Sequence, residues 1–224
     1  GLATSGTDYT GGSGTVTFPA NSTANQSFGV TIVGDETVEL DEDFSLQFDG
    51  LSNDGRNVSL DTAGATYTIL NDDDTALSIS QPDTTVAEGD SQTYTLSLTN
   101  PIEVASGSGD LTVNILGSDG SASIQYDTGG DLTGPVGGPY THAALISEGT
   151  TNTTFSVGAV LDSDVETDEN FTVGITGVDP VDPDIDGLIS IGTTSVSTTI
   201  TSGDVVGVNL TLEAGSNPVT DSLD

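Results

Sequence analysis

Apolar and polar positions alternate along almost the whole chain. Val16 and Phe18 are set between Thr15 and Thr17; Phe28, Val30 and Ile32 follow, then Phe44, Leu46 and Phe48, then Tyr67 and Ile69. A period of two marks a strand with one covered face and one wet face. Clusters of Gly, Asn, Asp and Pro divide these runs at about 8–12 residue intervals, the rhythm of a β-sandwich. No stretch carries an i, i+3, i+4, i+7 stripe, so little helix is expected. The pattern then begins again. Leu77 and Ile79 open a strand, and Tyr94, Leu96 and Leu98 form the next. Leu111, Val113 and Ile115, Phe155 and Val157, Phe171, Val173 and Ile175, and Val196 and Ile200 continue the series, and Val208, Leu210 and Leu212 begin another. The reading is an all-β chain of tandem antiparallel sandwiches.

The two halves also match residue by residue. Thr31 to Phe44 aligns with Ala159 to Phe171 through their acidic parts, and Ala20 to Phe28 aligns with Ser147 to Phe155. Internal repetition of this kind indicates an array of like modules. The array is cut out of phase. Residues 1–75 form a module lacking its opening strands, and residues 76–204 form a second module with a Gly-rich insertion at about 117–139, expected as a surface loop. Residues 205–224 are the opening strand of a further module or a strand donated to a neighbouring molecule.

Charge narrows the chemistry. There are 35 acidic residues against one cation, Arg56, for a formal net charge of −34. Nucleic acid is excluded as a partner, because phosphate binding needs Lys and Arg. Anionic membrane surfaces are disfavoured for the same reason, and no run of about 20 apolar residues exists to insert into a bilayer. With no cysteine and one histidine, His142, a zinc site of Cys and His is excluded. His142 lies beside the insertion with no nucleophile in a recognisable frame and is read as loop filler. Paired carboxylates alone do not make a glycosidase without aromatic sugar platforms, and the chain has no Trp. The expectation is a protein that is not an enzyme.

The carboxylates are clustered. Asp35, Glu36, Glu39, Asp41, Glu42 and Asp43 crowd one turn, and Asp72, Asp73 and Asp74 follow the next strand. Asp162, Asp164, Glu166, Asp168 and Glu169 repeat the first of these, with Asp204 after the closing strand. Two like charges at ~4 Å cost roughly 4 kcal/mol at an effective dielectric near 20. The bland reading is a solvated acidic skin, which suits isolated residues such as Asp83, Asp179 and Asp186. Recurrence at fixed offsets from strand ends favours a hard divalent cation instead, best matched by Ca²⁺ with its about 6–8 oxygen ligands.

These residues resemble the Calx-beta family. The resemblance is carried by Gly6-Thr7-Asp8-Tyr9, Gly14-Thr15-Val16-Thr17-Phe18, Asp35 to Phe44, and Ile69-Leu70-Asn71-Asp72-Asp73-Asp74, and in the second module by Ala87-Glu88-Gly89 and Asp162 to Phe171. It implies tandem immunoglobulin-like antiparallel β-sandwiches of about seven strands each, with Ca²⁺ held by loops at one end. Carried over to this chain, the first-module ligands are Asp8, Asp35, Glu39, Glu42, Asp72, Asp73 and Asp74. Those of the second are Glu88, Asp162, Asp164, Glu166, Glu169 and Asp204. Glu213 is the corresponding glutamate of a third module. Gly-Thr-Asp-Tyr is replaced by Ile124-Gln125-Tyr126-Asp127, and the triple aspartate by Ser202-Gly203-Asp204. The second site is therefore expected to bind fewer or weaker ions.

The function expected is a Ca²⁺-binding extracellular or cell-surface module. It would serve as a stalk, adhesin segment or filament subunit, made rigid by ions at the sandwich ends and module junctions. Head-to-tail self-association is the partner expectation, with strand donation by residues 205–224. A surface or glycan target is left open. The alternatives are a Ca²⁺-sensing regulatory module, told apart by micromolar rather than millimolar affinity, and an acidic halophilic surface-layer protein without specific ion sites.

Overall fold

The computed structural model describes residues 1–12, 14–62, 64–104, 109–123, 128–134, 139–180, 182–204 and 207. Ten strands build the second module: β5 (Thr75–Ser80), β6 (Thr85–Ala87), β7 (Ser91–Leu98), β8 (Leu111–Asp119), β9 (Thr128–Gly130), β10 (Tyr140–Ile146), β11 (Asn152–Ala159), β12 (Glu169–Pro180), β13 (Ile189–Ile191) and β14 (Ser195–Thr201). They form two five-stranded sheets, ordered β10-β8-β12-β14-β6 and β13-β5-β7-β11-β9. Seven strands have six or more residues, the number the resemblance implies; β6, β9 and β13 are three-residue edge strands. Two of these short edges add parallel pairings to the antiparallel plan, β13 with β5 and β6 with β14.

Alternation decides which face is covered. In β5 and β7, Leu77, Ile79, Tyr94 and Leu96 point inward and are at most 2% exposed, while Ser and Thr occupy the positions between. Val113, Ile115, Phe171 and Val173 meet them from the opposite sheet. Each such side chain contributes about 1.5–3 kcal/mol on burial. Tyr94 stacks on Phe155 with ring centroids 5.1 Å apart. Its hydroxyl donates to Thr198 Oγ1 at 2.6 Å, and Thr198 in turn donates to Gln81 Oε1 at 2.8 Å. This relay satisfies a polar group deep in the core, and burial pushes the phenol up to about 12.

The insertion departs from the sequence reading. Residues 117–139 are not one surface loop. Gly117 to Asp119 end β8, Thr128 to Gly130 form β9 against β11, and Ala122 and Leu132 are buried. His142 is likewise not in a loop. It sits in β10 on the same face as Tyr140 and Ala144, its ring tilted over Phe155 at 5.2 Å.

The first module is less complete. β1 (Tyr9–Thr10) pairs with β2 (Thr31–Ile32), and β3 (Glu42–Gln47) pairs with β4 (Gly64–Ile69), giving two two-stranded sheets. Val16, Phe18, Phe28 and Val30, expected in strands, lie outside them. The physical reason is that alternation needs a sheet to lie against, and no counterpart of β5 or β7 is present among the described residues. Phe44 is covered by Tyr9 and Tyr67, at 4.8 and 5.6 Å, but Phe18, Phe48 and Tyr67 are each more than half exposed.

The acidic turn of the first module is pinned to the second. Val38 donates its N–H to the Pro101 carbonyl at 2.9 Å, and Glu103 returns a hydrogen bond to the Val38 carbonyl at 3.0 Å. The Val38 side chain is fully buried and joins the core beside Ile102 and Val104. Asn100 Nδ2 ties the same loop to the Asp74 carbonyl at 2.8 Å. Among the described residues, no helix is long and apolar enough to cross a membrane.

Candidate metal centre

Three chain segments converge on one cleft of about 190 Å³ in the first module. The turn before β1 brings Asp8, the acidic turn between β2 and β3 brings Asp35 and Glu39, the first residue of β3 is Glu42, and the segment after β4 brings Asn71, Asp72 and Asp73. β1 and β2 close the first side: Val33 donates to the Asp8 carbonyl at 2.9 Å, and Thr4 N–H is bonded to the Asp8 carboxylate. Asp35 Oδ1 accepts from Thr37 N–H at 2.8 Å and so shapes the start of the acidic turn.

Asn71 holds the turn to the strand end. Its Oδ1 accepts from Glu39 N–H at 3.2 Å, its own N–H donates to Asp41 Oδ1 at 2.9 Å, and its amide donates to the Asp73 carbonyl at 2.9 Å. Asn71 and Asp41 were noted in the sequence as part of the acidic motifs, but neither was expected among the site residues. A neutral amide at the head of an aspartate run is the signal that marks the first, and Asp41 carries none.

Carboxylate oxygens of Asp8, Glu39 and Glu42 lie within 4.8 Å of one another. The electrostatics match the crowding. Burial, then Asp35, Asp8, Glu42 and Glu103, push the Glu39 carboxyl up to about 7. Burial, then a hydrogen bond and charge repulsion from Asp8, raise Glu42, while the chain's amino terminus opposes them. Asp73 is raised by desolvation and then by Asp72, Asp35, Glu36 and Asp74. Glu39, Glu42 and Asp73 therefore sit where negative charge is disfavoured and a cation would relieve it. Asp74 is not part of this lining; it is exposed, and its carbonyl is engaged by Asn100.

The second module gathers a smaller set. Glu88 follows β6 and Asp204 follows β14, and the two strands are parallel neighbours with Ala87 opposite Thr201. Gly89, at φ +83°, adopts the left-handed conformation that glycine takes without steric cost. It turns the chain so that its N–H reaches the Ala159 carbonyl at 3.1 Å, at the start of the acidic turn. Glu88 Oε2 and Asp204 Oδ2 are buried atoms with no hydrogen-bond partner. Two orphaned carboxylate oxygens, on residues that follow neighbouring parallel strands, are groups a cation would satisfy, since buried charge without a partner is costly. Asp162, Asp164 and Glu166 remain exposed on the turn, with Asp164 N–H capping onto Asp162 Oδ1 at 2.8 Å, and Glu169 is half-buried at the start of β12. Glu213 and Asp127 lie outside the described residues.

A larger cleft, about 530 Å³, runs beside β8 and β10 and is lined by Asn114, Asp131, Thr133, Thr141 and His142. Its Asp131 carboxylate accepts from Ser156 N–H at 2.7 Å.

A family model described as the Calx-beta domain matches residues 1–74 and again residues 71–201. No curated protein matches the chain. Among solved structures, the apo form of the Calx CBD1 domain is similar at 13% identity, covering 59% of this chain and 100% of that one, with a TM-score of 0.41. The Calx CBD2 domain is similar at 12% identity, over 56% of this chain and 86% of that one, with a TM-score of 0.41. The calcium binding domain CBD12 of CALX1.1 is similar at 16% identity, over 58% of this chain and 47% of that one, with a TM-score of 0.40.

Proposed function

The chain belongs to the Calx-beta family, and we propose that it is a calcium-binding structural unit of an extracellular stalk, adhesin or filament, working by binding and not by catalysis. The observation that carries this reading is the trio Asp8, Glu39 and Glu42, with carboxylate oxygens within 4.8 Å and Glu39 pushed up to about 7. Asp8, Asp35, Glu39, Glu42, Asp72 and Asp73 are the residues that would hold Ca²⁺ in the first module. Glu88 and Asp204 would hold it in the second, helped by the acidic turn at Asp162 to Glu169. The ion supplies charge neutralisation. The chain supplies the link to mechanics, because Glu39 adjoins the buried anchor Val38 and is repelled by Glu103 from the other module. Neutralising the cleft therefore tightens the turn that joins the two sandwiches.

The test is melting and imaging with and without a chelator at moderate ionic strength. Calcium should raise the melting temperature and straighten the particles seen by electron microscopy, because a ligand that binds the folded state alone stabilises it by mass action. Identical melting in both conditions defeats the proposal.

A further inference from the structure

Among the described residues, three of the four edge strands of the second sandwich are short: β6, β9 and β13 have three residues each. The fourth, β10, has seven. Long edges are usually guarded by Lys, Pro, an inward charge or a bulge that keeps other strands away. β10 has none of these guards. It holds no Lys, Arg, Asp, Glu or Pro in a chain of net charge −34, and its register with β8 runs unbroken from Tyr140–Gly117 to Ile146–Leu111.

The direction of the backbone groups on this edge follows from one bridge. Thr141 and Thr133 exchange both N–H···O bonds, at 2.8 and 3.1 Å, so the Thr141 groups face away from β8. Direction alternates along a strand, and Ala143 and Leu145 therefore also turn their N–H and C=O away from β8. Thr133 covers Thr141 alone. Two residues before Thr133 the chain lies against the other sheet, where Asp131 N–H donates to the Ser156 carbonyl at 2.9 Å. Among the described residues nothing pairs with Ala143 or Leu145 on this side. The cleft of about 530 Å³ has Asp131, Thr133 and Ala143 in its lining, and Leu145, two residues on from Ala143, is 49% exposed.

The edge complements itself. Set antiparallel to a second copy with Ala144 opposite Ala144, β10 places Ala143 opposite the partner's Leu145 and Leu145 opposite the partner's Ala143. Both pairs join residues whose backbone groups face outward, so each exchanges two hydrogen bonds. Each large side chain then lies beside a small one on the outer face. The same register puts Ser147 of one strand against Thr141 of the other. That place is taken by Thr133, and there β10 has already ended: Thr150 N–H closes a turn on the Ser147 carbonyl at 3.0 Å, with Gly149 at φ +71°. The strand leaves where the obstruction begins.

We propose that β10 is a self-pairing edge: two copies of this chain join antiparallel through Ala143 and Leu145, merging two five-stranded sheets into one. The two-fold axis passes through Ala144, so the contact closes on itself as a dimer. A foreign extended peptide would gain the same backbone bonds, but the leucine–alanine match and the point at which the strand ends favour a second copy. For a stalk, as proposed above, antiparallel pairing joins chains reaching from facing surfaces; the pairing itself depends neither on calcium nor on that reading.

Sedimentation equilibrium of the 224-residue chain in chelator tests this, at low salt and in about 1 M sodium chloride, where a Debye length of about 3 Å screens the net charge of −34. A monomer–dimer equilibrium should appear and tighten with salt. Leu145→Glu, at an exposed position, and Ala143→Pro, which removes only an outward N–H, should each weaken it about tenfold or more, with circular dichroism reporting that both variants fold. The chain has no cysteine, so Ala144→Cys puts a single thiol per copy at the axis, where Cα atoms of facing residues stand about 4.5 Å apart, within disulfide reach. Oxidation should link this variant into a covalent dimer and should not link Thr112→Cys, one strand further in on β8. A chain that stays monomeric in high salt leaves the edge to a foreign strand and overturns the proposal. A dimer indifferent to Leu145→Glu, or one that Ala144→Cys does not link, overturns it as well.

Discussion

Replacing Glu39 with Gln should have opposite effects on the metal-free and the calcium-loaded protein. In the folded, metal-free chain the Glu39 carboxyl is raised from 4.5 to about 7, chiefly by burial and then by Asp35 and Asp8. The unfolded chain releases this proton near 4.5, so between 4.5 and about 7 the folded state holds more protons than the unfolded state. Stability therefore falls as pH rises through that window and levels off above it. At face value the displacement is worth about 3 kcal/mol, and solvent reaching the half-buried group reduces this to about 1–2 kcal/mol. Glu39→Gln removes the buried charge. Without calcium at pH 8 the variant should be more stable than the parent by that amount, a rise of about 2–8 °C in Tm. Below pH 4.5 the two should melt together. With calcium at a hundred times the parent's Kd, the parent gains about 2.7 kcal/mol, whereas a variant binding tenfold more weakly gains about 1.4 kcal/mol. Thermal melts across pH 4–8, with calcium and with chelator, read all four quantities. A metal-free variant no more stable than the parent at pH 8, or a calcium increment unchanged by the substitution, would refute the argument from crowded charge.

Other parts of the structure yield further expectations. Glu88→Gln with Asp204→Asn should stabilise the metal-free second module, because two orphaned buried oxygens become neutral groups, while calorimetry loses the ion bound there and keeps the first-module uptake. Val38→Ala empties a fully buried position at the module junction and should cost about 1–3 kcal/mol; small-angle scattering should show a broader spread of particle lengths, and an unchanged profile would remove Val38 as an anchor. Tyr94→Phe leaves Thr198 without its donor and should cost about 1–2 kcal/mol in a denaturant titration, without altering calcium uptake.

The sandwich could be read from the sequence wherever alternation met a partner. Leu77, Ile79, Tyr94, Leu96, Phe171 and Val173 all fall on the face their parity predicts, because a one-residue slip would turn the whole set outward. Val16 and Phe18 show the same alternation yet form no strand, since period alone does not supply a neighbouring sheet. Asp35, Glu39 and Glu42 stood out in the sequence as crowded carboxylates at a strand end, whereas Asp8 entered only through the resemblance to the Calx-beta family. The supports of the cleft were not among the expected residues. Asn71 acts through one side-chain oxygen and one amide on residues 32 and 2 positions away, and Val38 reads as one more apolar residue in an acidic run. The contact of Val38 with Ile102 is a meeting of distant segments that no local pattern encodes. The insertion misled for a related reason: glycines suggest a loop, but Gly129 and Gly130 pair with β11 backbone, which needs no side chain.

The second sandwich is entered at Thr75, next to the Val38 clamp, and left beyond Thr201 at the far end. Its two termini therefore point in opposite directions along the strands. A pull on the chain ends would slide β6 against β14 and β13 against β5, straining every rung of those short ladders together and not peeling them one at a time. Tension along the strands would therefore load both short ladders in shear.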